Sequence, residues 1–118
     1  MKPKCDVFTP ANQLPMVMDV FRSEAKTVNA KLHEVSSSRA LLKSHNATVE
    51  TAMCYSAQVD NACLAAAVLK HLDISTEGMS QFYWPCRMEV FRVNDVNVIL
   101  DGCHNGDSVQ KFLFGIKE

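Results

Sequence analysis

Asn97-Val98-Ile99-Leu100-Asp101-Gly102-Cys103-His104-Asn105-Gly106-Asp107-Ser108 reads as a buried strand that delivers an aspartate to its carboxyl end and turns through a glycine-bearing loop into a helix. Val96 to Leu100 supplies the strand, and Asp107 through Phe114 the helix, with Gly115 near its end. In α/β sheets, ligands gather outside the carboxyl ends of strands and close to helix N-termini. A carboxylate at Asp101 can accept hydrogen bonds from ribose hydroxyls or an amine, and His104 can offer a polar contact or stack beside a base. The same residues fit a plainer reading, in which Asp101 caps the following helix and His104 is an exposed loop residue.

Working upstream, Met88, Val90 and either Phe91 or Val93 suit a strand, and Asn94-Asp95 suits a turn, so the two strands are expected to pair as a hairpin. Trp84-Pro85-Cys86-Arg87 sets an arginine after a proline-fixed turn, where its donor fork suits phosphate oxygens. A surface ion pair with Glu89 is the commoner fate of such an arginine. Residues 73–81 read as a linker or a short helix with turns. Before them, Ala57 to Leu72 (AQVDNACLAAAVLKHL) is a helix, apolar on nearly every side from Ala62 to Leu69 and therefore expected to be buried among several neighbours. Asn61 lies where that helix turns from polar to apolar. Its carboxamide, expected to be buried, has the donors and acceptors to match an adenine edge or to bond a loop backbone, with Gln58 on nearly the same face.

At the amino end, Asp6-Val7-Phe8-Thr9 forms a strand ended by Pro10. Asn12 is the expected helix N-cap, with Pro15 in the first turn. Leu14, Val17, Met18, Phe21, Ala25 and Val28 recur at helical spacing, and Lys31 to Val35 alternates as a strand. Strand, helix, strand implies a parallel pair with a crossover helix. Ser36-Ser37-Ser38 breaks the pattern, and residues 39–56 carry no clear assignment.

Composition narrows the classes. With 12 Lys and Arg against 13 Asp and Glu, and no basic run longer than two residues, the chain lacks the positive stripe that nucleic-acid binding uses. Five scattered cysteines without a C-x-x-C pair fit a reducing compartment better than a disulfide framework or a structural zinc site. No signal-like or membrane-spanning apolar run is present, which leaves the Asn46-Ala47-Thr48 sequon a chance match. An intracellular, cytoplasmic protein is the expectation, with a mitochondrial form of a longer parent as the alternative.

WPCRMEVFRVNDVNVILDGCHNGDSVQKFL resembles the W-P-G-R-x-E strand and D-G-A-H-N-P-x-S loop that open the C-terminal domain of folylpolyglutamate and dihydrofolate synthases, within the Mur ligase superfamily. AQVDNACLAAAVLKHL is similar to that family's H-Q-x-x-N-A-x-L-A helix, and Lys2 to Val35 to the segment after E-K-A-G-I-x-K-P, with its T-x-x-Q near Thr9. The resemblance spans nearly the whole chain in the right order. It implies an α/β fold: residues 1–75 as the end of a Mur-ligase-type ATPase domain, and 76–118 as the truncated start of a Rossmann-like C-terminal domain.

By the same resemblance, Asn61 meets the adenine of ATP, Arg87 approaches its phosphates on domain closure, Asp101 is a nucleotide contact, and His104 supports it. The family adds glutamate to folates by activating a γ-carboxylate as an acyl phosphate, with magnesium stabilising the transferred phosphoryl group.

There are departures. Cys86 replaces a glycine, a costly change if the position needs positive φ, while Gly106 replaces a proline and Cys103 an alanine. No G-x-x-x-x-G-K-[ST] phosphate loop occurs, and the family's carboxylated lysine and magnesium ligands are expected upstream of Met1. The chain is therefore expected to hold no catalytic residue and no metal ligand, to be inactive alone, to expose sheet edges, and to belong to a monomer when full-length. A non-catalytic nucleotide-binding or interaction remnant, or another Mur-type amino-acid ligase, are the alternative readings.

Overall fold

Apolar residues at period two and then at helical period make the amino-terminal unit. A computed structural model describes residues 1–38, 56–81 and 84–116. Strand β1 (Asp6–Pro10), helix α1 (Pro15–Thr27) and strand β2 (Lys31–Val35) follow in order. The strands pair in parallel from Asp6 opposite Lys31 to Pro10 opposite Val35. This is the expected crossover unit. Cys54 and the Asn46–Thr48 sequon lie outside the described residues.

Paired residues of parallel strands share a sheet face, so Asp6, Phe8, His33 and Val35 point one way and Val7, Thr9, Leu32 and Glu34 the other. Helix α2 (Ser56–His71) packs on the first face, where Val35, Ala62, Cys63 and Ala66 are buried and Phe8, Val59, Leu64, Ala67 and Met79 close around them. Alanines let the helix approach the strands closely, and Cys63 and Ala66 have no exposed surface at all. Burial raises the pKa of the Cys63 thiol, whose Sγ donates to the Ser38 carbonyl at 3.4 Å. Within Ala62–Leu69, the stretch expected to be buried on nearly every side, Ala65 is exposed and Leu64, Ala67, Val68 and Leu69 are only half-buried, because only one flank of the helix meets the sheet.

Helix α1 buries Met18 and Ala25 and is pinned to β2 by a two-pronged ion pair, Arg22 Nε to Glu34 Oε1 at 2.7 Å and Arg22 Nη2 to Oε2 at 2.8 Å. That pair, chiefly through its hydrogen bonds, lowers the Glu34 pKa and raises that of Arg22. The N-cap position falls to Leu14, with no side-chain cap, and Pro15 opens the helix. Asn12 is therefore not the cap: its Nδ2 donates to Asp60 Oδ2 on α2 at 2.9 Å, a tertiary bond in place of a local one.

Both helices of this unit end in the same way. Asn29, at φ 54°, follows α1 with Ala30 N–H donating to the Ala25 carbonyl at 2.8 Å. Asp73, at φ 55°, follows α2 with Ile74 N–H donating to Leu69 at 2.9 Å. Short polar residues thus take the left-handed position usually given to glycine.

A 3₁₀ turn (Glu77–Gln81) leads toward the second unit, in which β3 (Glu89–Val93) and β4 (Val96–Leu100) form the expected antiparallel hairpin. Asn94 and Asp95 both have positive φ, 47° and 64°, the mirror-image turn whose twist suits a two-residue hairpin. Helix α3 (Gly106–Gly115) follows. Strand β4 is not the buried strand expected: Val96, Val98 and Leu100 are exposed, as are Val90, Phe91 and Val93 of β3, because nothing described covers either face. The fold is a small mixed α/β arrangement of two two-stranded sheets and flanking helices. Among the described residues no helix is long and apolar enough to cross a membrane.

Candidate functional site

The carboxyl end of β1, the first turns of α2, the two loops flanking the hairpin and the start of α3 surround one cleft of about 590 Å³. Asn61, Arg87 and Asp101 all line it, together with Asn12, Asp60 and Lys111. A cleft at the carboxyl end of a parallel strand is the usual ligand position of α/β folds, and this volume lies within the range of small-molecule sites.

Backbone hydrogen bonding sets the geometry around Arg87. Asp101, immediately beyond β4, is half-buried; its Oδ2 accepts from Met88 N–H at 3.0 Å and its Oδ1 from Cys103 N–H at 2.9 Å. Gly102 N–H donates to the Cys86 carbonyl at 2.7 Å. The 84–88 loop is thereby laced to the 101–103 loop, and Arg87 is held between two anchored neighbours. Asp101 does not cap α3. Asn105 does, its Oδ1 accepting from Ser108 N–H at 2.9 Å while Ser108 Oγ accepts from Asn105 N–H at 3.1 Å. Gly106 therefore occupies the first helical position with φ outside the left-handed region and open space around its Cβ direction, a place that proline also accepts.

Arg87 is exposed and, among the described residues, forms no ion pair; Glu89 instead takes the Cys86 N–H on its Oε2 at 2.9 Å. The arginine is presented by a strained loop: Cys86 and Met88, on either side of it, have φ of 57° and 50°. Each left-handed non-glycine residue costs about 1–2 kcal/mol. Cys86→Gly is therefore expected to stabilise the protein by roughly 0.5–1 kcal/mol, the steric relief less the added chain entropy. Chemical denaturation checks this; an unchanged or lowered midpoint would show that the loop bears no such strain.

His104 does not join the cleft. It is exposed, its Nδ1 lies 3.0 Å from the Gly102 carbonyl, and its N–H donates to Ser108 Oγ at 3.1 Å, so its role is to close its own loop. Asn61, expected to be a buried amide, is exposed at the rim, where its Nδ2 lies 3.4 Å from Gln58 Oε1 on the preceding turn. It also borders a second, largely apolar pocket of about 350 Å³ walled by Ala62, Ala65, Leu69 and Met79, with Gln58 at its edge. One carboxamide thus stands between an apolar slot and a polar cleft.

The cleft walls carry Arg87 and Lys111 against Asp60, Asp101 and Asp107, and Lys111 Nζ is engaged by Asp107 Oδ2 at 2.8 Å. Arg87 is thus the cation of this cleft that has no ion pair among the described residues. The carboxylates already have partners, Asn12 for Asp60, Lys111 for Asp107 and two amides for Asp101, so a magnesium ion here would have to share or displace them.

A further constellation escaped the sequence reading. Asp6 at the amino end of β1, His33 in β2 and His71 in the last turn of α2 bring three ligand-type atoms within 4.8 Å of one another. His33 Nε2 lies 2.5 Å from Asp6 Oδ1, and His71 Nε2 3.5 Å from Asp6 Oδ2. The Asp6 pKa is lowered, first by the hydrogen bond with His33. Phe8 stacks on the His33 ring (centroids 4.4 Å apart, planes within 6°) and meets the His71 ring edge-on at 5.2 Å. The available sequence signal was the parallel alternation that puts Asp6, Phe8 and His33 on one face; His71 joins only through the docking of α2.

Among the described residues, Cys5, Cys63, Cys86 and Cys103 are free thiols. No family model, no curated protein and no solved structure matches this chain.

Proposed function

We propose that this chain carries part of the ATP site of a ligase of the folylpolyglutamate synthase type, which joins glutamate to folates through an acyl phosphate. The observation that carries the reading is that Asn61, Arg87 and Asp101, from three separated segments, border a single cleft. The adenine ring lies in the apolar slot beside Ala62 and Ala65, its edge read by the Asn61 carboxamide, which can both donate and accept. The polyphosphate crosses the polar cleft to the Arg87 guanidinium, a charge-assisted contact. Asp101 is a positioning residue first, since its oxygens hold the backbone amides of Met88 and Cys103, and its remaining lone pairs face ribose or amine donors. The positive φ at Cys86 supports the likeness to W-P-G-R, since it is a conformation glycine adopts without steric penalty.

Magnesium, where bound, would neutralise phosphate charge. The cleft carboxylates are each already hydrogen-bonded or ion-paired and do not offer it a ready site. The sequence contains no phosphate loop, so the chain binds the nucleotide weakly and adds no glutamate by itself.

Trp84, the sole tryptophan and three residues before Arg87, serves as the reporter. Titration with ATP is expected to give saturable quenching with a Kd on the order of 1 mM, about −4 kcal/mol. Arg87→Ala should weaken ATP about tenfold while leaving adenosine unchanged, as loss of one charge-assisted contact would. Asn61→Ala should weaken both. Unsaturable quenching, or wild-type binding by both variants, would overturn the assignment.

A further inference from the structure

We propose that Asp6, His33 and His71 form a three-ligand site for a first-row transition-metal ion of the zinc or cobalt type, remote from the nucleotide cleft. Along helix α2, Asp60 borders the cleft and His71 belongs to the cluster, about 16 Å further along the axis at 1.5 Å per residue. The two constellations sit at opposite ends of the same sheet, and the second does not depend on the reading of the first.

Three features make the cluster a site. Both imidazole Nε2 atoms converge on one carboxylate, each on a different oxygen, at 2.5 and 3.5 Å. Tetrahedral zinc with ligands at about 2.0–2.1 Å sets its donor atoms a little over 3 Å apart, so small side-chain rotations bring all three into range. Phe8 lies flat on His33 and edge-on to His71, which holds both ring planes before any ion arrives.

The ligands stand on two strands and a helix rather than on a loop. Their side chains are between a quarter and a little over a third exposed, which leaves a path for the ion. Two imidazoles and one carboxylate select a borderline transition metal over magnesium or calcium, and three protein ligands leave a fourth position for water or an exchangeable ligand. Binding needs the Nε2 lone pair of His33 in place of its hydrogen bond to Asp6, so the ring carries its proton on Nδ1 when the cation takes that position.

The test is a titration of the intact protein with Co²⁺ at mildly alkaline pH, followed by visible absorption and Zn²⁺ competition. One equivalent of Co²⁺ should bind, with d–d bands of a low-coordinate site and no thiolate charge-transfer band, and Zn²⁺ should displace it. Asp6→Asn, His33→Gln and His71→Gln should each weaken binding at least about tenfold, with circular dichroism unchanged. Should His33→Gln fail to fold, Asp6→Asn and His71→Gln, at a strand end and in an exposed helical turn, decide the matter.

Absence of d–d bands in a tenfold excess of Co²⁺ would overturn the site and leave a hydrogen-bonded histidine–carboxylate cluster. So would a thiolate band, which would move the ion to a cysteine, or unchanged affinity in Asp6→Asn and His71→Gln.

Discussion

Phe8→Ala is expected to lower folding stability by about 3 kcal/mol, the largest effect of any single truncation at this sheet. Removing a buried phenylalanine costs about 3–5 kcal/mol, through lost transfer energy and the cavity left behind. Phe8 is half-buried, which places it at the low end, yet it faces the core around Cys63 and Ala66 and also supports both histidine rings. Small domains have only about 5–15 kcal/mol in total, so urea denaturation should show a large fall in midpoint. Phe8→Leu should recover much of the loss in stability, but not the fixed orientation of His33 and His71, because leucine offers no ring to stack on. A loss below about 1 kcal/mol for Phe8→Ala would mean that α2 does not rest on β1 as described.

Asp101→Ala should cost about 2 kcal/mol and uncouple the two loops that present Arg87. Hydrogen bonds to a charged acceptor contribute about 1.5–3 kcal/mol each, and partial solvent access keeps the pair below their sum. The decisive measurement is residue-resolved amide exchange. Met88 and Cys103 N–H, which donate to the two carboxylate oxygens, should lose protection while the Ser108 amide, held by Asn105, keeps it. Asp101→Asn should restore protection at one of the two amides, since its carboxamide retains a single acceptor oxygen. Equal exchange at Met88 and Cys103 in wild type and Asp101→Ala would refute the lacing. A ligand contact without a positioning role would weaken nucleotide binding and leave these amides untouched.

The elements of this fold are legible in the chain because their signals are local. Alternation at Asp6–Thr9 and Lys31–Val35, helical spacing from Val17 to Val28, and Asn94-Asp95 between two apolar runs each involve neighbours a few residues apart. The structure bears out the strands, helices and hairpin that these patterns imply. Asn61, Arg87 and Asp101 stand out by residue type and context and border one cleft, whereas His104, expected in a supporting role, has its ring turned to its own loop.

What only tertiary structure decided depends on distances across the chain. Asn12 looked like a cap because capping is local chemistry, and it was drawn away by Asp60, 48 residues later. Strand β4 looked buried because its residues are apolar, yet burial requires a covering layer and none is described. The Asp6–His33–His71 cluster spans strand register and helix docking at once, neither of which any short window encodes. Residue identity sets which conformations and contacts are affordable in energy; which distant groups meet is settled by how sheet and helices pack, since that packing optimises the buried surface of the whole rather than any single pair.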